Sequence, residues 1–74
     1  MIITMEQLTQ IAAAGGGLML DASAFTFNQL RDVATAADGG KARLTLKNFA
    51  NLTAGQLTEL AGLAPGLITF DLSG

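Results

Sequence analysis

"FTFNQLRDVATAA", at residues 25–37, has two companions in the same chain: "ITMEQLTQIAAAG" at 3–15 and "LTAGQLTELAGLA" at 52–64. Aligned on Thr4, Thr26 and Thr53, each copy has glutamine three residues on (Gln7, Gln29, Gln56) and leucine next (Leu8, Leu30, Leu57). Seven beyond the threonine stand Ile11, Val33 and Leu60, followed always by alanine: Ala12, Ala34 and Ala61. Agreement in five columns across three copies marks an internal repeat. A repeat decides the fold, because one copy alone cannot bury its apolar face.

Each column has a physical task. Thr-x-x-Gln is a capping box, in which the threonine oxygen takes an orphan amide of the first turn and the glutamine side chain returns to the threonine amide. The apolar residue before each threonine (Ile3, Phe25, Leu52) is placed to staple onto the leucine at the fourth helical position. In the second copy Phe27, Leu30, Val33, Ala34 and Ala37 fall at helical spacing, with Arg31, Asp32 and Thr35 elsewhere. The spacing predicts three short amphipathic helices.

Glycine-bearing turns follow each helical stretch: Gly15-Gly16-Gly17, Asp38-Gly39-Gly40 and Pro65-Gly66. They lead into "LMLD", "RLTLK" and "LITFD", which alternate as strands with one covered face do. Leu18, Leu20, Leu44, Leu46, Ile68 and Phe70 are expected to point inward. Met19, Asp21, Thr45, Lys47, Thr69 and Asp71 are expected on the open face. Helical crossovers between strands imply parallel pairing with right-handed connections. The expected class is α/β: three helix–strand repeats, over about 3–22, 25–48 and 52–74, in one domain. They form a small parallel three-stranded sheet with the helices on one face. The threonines are 22 and then 27 residues apart, and the extra residues are expected in a loop at 38–42.

"QLTELAGLAPGLITFDLSG", at 56–74, resembles a leucine-rich repeat, its leucines leading through a turn into a strand of the Leu-x-Leu type. Where that family carries asparagine beyond the strand, this chain has Ser23, Phe49 and Ser73. The resemblance implies a curved α/β solenoid whose sheet face binds other proteins.

Composition narrows the function classes. A chain of 74 residues has a thin stability margin, and small domains usually add disulfides, a metal or oligomerisation. Cysteine and histidine are both absent, which removes disulfides, thiolate metal sites and the commonest general base. Oligomerisation is the remedy left. The net charge is −2, and Arg31, Lys41, Arg43 and Lys47 are the only basic residues, too few for a nucleic-acid surface. The uncharged stretch at 7–20 is too short to span a bilayer, and no positive region precedes it as in a secretory signal. A cytoplasmic setting is the default expectation, with no membrane, nucleic-acid or cofactor partner.

Candidate chemistry is sparse. A row Asp21–Lys47–Asp71 would place its carboxylates about 9.6 Å apart, near the spacing of inverting glycosidases at roughly 6.5–9.5 Å. Nothing would exclude water there, and a cross-strand charge pair accounts for the row. Gly39-Gly40-Lys41 and Gly15-Gly16-Gly17 precede strands, the wrong order for phosphate or dinucleotide loops. Asp21-Ala22-Ser23 and Asp71-Leu72-Ser73 read as turns closing their strands. Asn51-Leu52-Thr53 matches a glycosylation sequon, but Thr53 is taken as a helix cap. No catalytic, metal or cofactor residue is assigned, and the chain is read as a non-enzyme.

The last strand, expected at 68–72, carries one charge and no proline or lysine to blunt its free edge. The expected interface is therefore Ile68, Thr69, Phe70, Asp71 and Leu72, and the expected function is self-assembly as a homodimer through that strand. The alternatives are a small regulator that binds a foreign protein, or a part of a longer repeat array. The first strand, at 18–22, is the other candidate edge.

Overall fold

The structure is a computed structural model, which describes residues 3–72. Its elements alternate as α1 (Met5–Ala13), β1 (Leu18–Asp21), a 3-10 turn η1 (Ala22–Ala24), α2 (Phe27–Gly40), β2 (Leu44–Lys47), α3 (Ala54–Leu63) and β3 (Ile68–Phe70). The protein is mixed α/β, with three helices and a small parallel sheet in the order β1-β2-β3.

All three helices begin the same way. Thr4, Thr26 and Thr53 accept from the amides of Gln7, Gln29 and Gln56 at 3.2, 3.1 and 3.1 Å. Each glutamine side chain accepts the threonine amide in return, at 3.0, 2.9 and 2.9 Å. Two orphan amides per helix are thereby satisfied within four residues of sequence.

The ends of α1 and α3 differ. Past α1, Gly15 takes φ +95, its amide meets Ala12 O, and Gly16 N reaches Ile11 O at 3.0 Å. That is a Schellman motif, and the positive φ is what the glycine is for. Past α3, Ala64-Pro65-Gly66-Leu67 forms a type II turn closed by Leu67 N to Ala64 O at 3.0 Å, with Gly66 at φ +77.

α2 departs from the sequence expectation. Asp38-Gly39-Gly40 is the last turn of the helix rather than a turn beyond it, and Lys41 takes the left-handed position at φ 56. The extra residues of the second interval therefore lengthen α2 instead of forming a loop at 38–42. Packing supplies the reason. A Cβ on Gly40 would collide with the carbonyl oxygens of Ala12 and Ala13, so Gly40 is needed where α2 crosses close to the end of α1.

One core joins Leu8 and Ala12 of α1 to Leu30, Val33, Ala34 and Ala37 of α2, Leu60 of α3, and Leu20, Leu44 and Leu46 of the sheet. α2 packs between α1 and α3. The register aligns Leu18, Leu44 and Ile68, and two residues on Leu20, Leu46 and Phe70, on the covered face. Among the described residues no helix is long and apolar enough to cross a membrane.

Candidate functional site

Helices back one sheet face and the strand order leaves two lateral edges, so the surfaces open to a partner are the other face and those edges. On the open face Met19 aligns with Thr45 and Thr45 with Thr69, while Asp21 aligns with Lys47. Among the described residues the most exposed large apolar side chains are Met19, at 68%, and Leu72, at 84%.

The Asp21 carboxylate is engaged by turn chemistry. It accepts from the Ser23 hydroxyl at 2.5 Å, the Ser23 amide at 2.9 Å and Asn48 Nδ2 at 3.2 Å. The Ser23 hydroxyl is the largest influence holding this carboxyl below its ordinary value, followed by Asn48, and Lys47 adds a weaker Coulombic lowering. The acid thus caps η1 and ties the end of β1 to the residue after β2. Asn48 stands in the left-handed region at φ 57. Sequence reasoning passed over it, and its isolated position beyond a strand offered only the hint that asparagine tolerates that conformation.

Among the described residues no group of three or more histidine, cysteine or acidic side chains is placed to hold a metal ion. A shallow, open depression of about 280 Å³ lies where β1 and β2 begin, lined by Gly17, Leu18, Met19, Arg43 and Thr45.

The C-terminal edge is shorter than expected. β3 ends at Phe70; Asp71 still donates its amide to Leu46 O at 2.8 Å, and Leu72 lies in a turn beyond. The chain leaves the ladder there, so a strand over 68–72 does not form, and Ser73 lies outside the described residues. Phe49 covers the end of β3, edge-on to Phe70 with ring centroids 5.6 Å apart. Ile68 and Phe70 nevertheless stay half-buried, whereas Leu44 and Leu46 in the central strand are 1% and 0% exposed.

The same contrast runs through the helices. Leu8 and Leu30 are 7% and 0% exposed, and Ala12 and Ala34 both 0%, but Leu57 and Ala61 in the matching columns are only half-buried. The third column behaves oppositely: Val33 and Leu60 are both 0% exposed while Ile11 is 37% exposed. The Leu and Ala columns therefore face the next unit along the chain, and the Ile/Val/Leu column faces the previous one. After α3 and β3 no next unit follows within the described residues.

The chain matches no protein-family model, no curated protein and no solved structure.

Proposed function

We propose that this chain is a non-catalytic self-assembly module, a leucine-rich-repeat-like α/β solenoid that forms a homodimer through the edge of β3. The observation that carries this reading is the half-covered state of Ile68 and Phe70, in positions whose counterparts in β2 are sealed. A free edge of this kind offers a row of backbone donors and acceptors to another strand. Small domains without disulfides also gain stability from association.

Light scattering or sedimentation at high micromolar concentration tests the proposal. The expected mass is twice the 7.6 kDa of the chain. A monomer throughout that range overturns it. A second reading keeps the surface and changes the occupant: a small regulator that adds a foreign strand to the same edge. The exposed Met19 and the depression beside Arg43 favour it, since they lie across β1 and β2, where a foreign chain could reach them and a symmetric β3 pair would leave them unused. Capture of one defined partner by a monomeric protein would distinguish it from self-assembly.

A further inference from the structure

We infer that the dimer contact is two layers deep: when β3 pairs with a second copy, the flank of α3 bearing Leu57 and Ala61 packs on the same flank of the partner. This rests on the homodimer proposed above and adds a helical half to its interface.

Area is the first argument. A stable interface buries about 600–1,000 Å² per partner, a large share of a surface of 4381 Å². A strand of three residues cannot supply that alone. The flank of α3 is the adjoining apolar surface. Ala54, Leu57 and Ala61 fall at i, i+3 and i+7, so they share one side of the helix. In the two earlier units the Leu and Ala columns are sealed by the helix that follows, so Leu57 and Ala61 carry side chains of a kind that a helix covers here.

Symmetry brings the flanks together. A two-fold axis normal to the sheet makes the two β3 strands antiparallel and keeps the helices of both copies on one side. Residues directly opposite in such a pair share a face. Centred on Thr69, the pair sets Ile68 across from the partner's Phe70 and Thr69 across from its own copy, so no carboxylates oppose. Glu59, the one charge on α3, is turned the other way and held by Arg31 of α2 at 3.0 Å. The helical flanks therefore meet without like charges.

Head-to-tail stacking is disfavoured by the same chemistry. Continuing the sheet in register from β3 to the partner's β1 would set Asp71 beside the partner's Asp21, and like charges on neighbouring strands are destabilising.

The chain contains no cysteine, so single cysteines report single contacts. A short bismaleimide is expected to turn most of an Ala61→Cys protein into covalent dimer and to leave Ile11→Cys, on the opposite flank of the molecule, at chain mass. Circular dichroism checks that both retain the parent's helical signal. Should Ala61→Cys not retain it, Ala54→Cys, exposed at the start of the same flank, carries the test with the same expected dimer. Linkage only in a mixture of the Ala61→Cys and Ile11→Cys chains would mean head-to-tail stacking and overturn the two-fold contact. A dimeric mass with no linkage from the folded α3 variant would overturn the helical contact and leave the strand pairing standing. A monomeric parent removes both.

Discussion

α2 and α3 open with the same capping box, to within 0.1 Å in its hydrogen bonds, and then live in different surroundings. α2 has a helix on either side and buries Leu30, Val33, Ala34 and Ala37. α3 has one neighbouring helix and fully buries only Leu60. Their glycines show the difference again: Gly40 is wedged against the backbone of α1, while a Cβ added at Gly62 would meet no neighbouring group within 4 Å. The lesson is that a helix start is a local event, whereas the energetic weight of a side chain depends on what lies beside it.

The comparison is broken most forcefully at the matched leucines. Leu30→Ala is expected to cost about 3 kcal/mol, since it leaves a cavity in a fully packed site, and Leu57→Ala about 1 kcal/mol. Urea unfolding at low micromolar concentration measures both; equal losses would mean that the two surroundings are equivalent. The glycines come next. Gly40→Ala should destabilise by about 2 kcal/mol, because backbone oxygens cannot move aside as a flexible side chain can. Gly62→Ala should stabilise by roughly 0.5–1 kcal/mol through helix propensity alone. Opposite signs in thermal melts are the outcome to look for.

The caps provide the control. Thr26→Ala and Thr53→Ala should each cost about 1 kcal/mol, and nearly the same amount, because the lost hydrogen bonds lie within one turn. A much larger loss at Thr26 would show that the box depends on the neighbours after all. The smallest effect concerns acid. The folded carboxyl of Asp21 titrates below its ordinary value of 3.8, so its stabilisation is complete above that pH and fades as pH falls through the lower folded value. Asp21→Asn should lower stability slightly at neutral pH and flatten the acid limb of the stability curve, read by circular dichroism between about pH 2 and 5.

Legibility followed the range of the interactions. The helix starts and the alternation of the strands can be read from sequence, because each is settled within a few residues. So can the outward placement of Met19, Thr45 and Thr69, which follows from period-two geometry once a strand is granted. The end of α2 could not be read, since Gly39 and Gly40 serve equally well in a turn or a helix. The choice was made by the carbonyls of Ala12 and Ala13, more than 25 residues earlier. Asn48 meets Asp21 across 27 residues, and Phe49 meets Phe70 across the whole of α3. Neither contact leaves a trace in local spacing.

By itself the sequence determined that three capped amphipathic helices alternate with short strands, because caps, stripes and pleats are satisfied by near neighbours. Only the tertiary structure decided where α2 stops, what the Asp21 carboxylate holds, and which copies of the Leu and Ala columns are sealed. Those outcomes depend on which surfaces come within contact distance, and short-range hydrogen bonding and periodicity do not encode that.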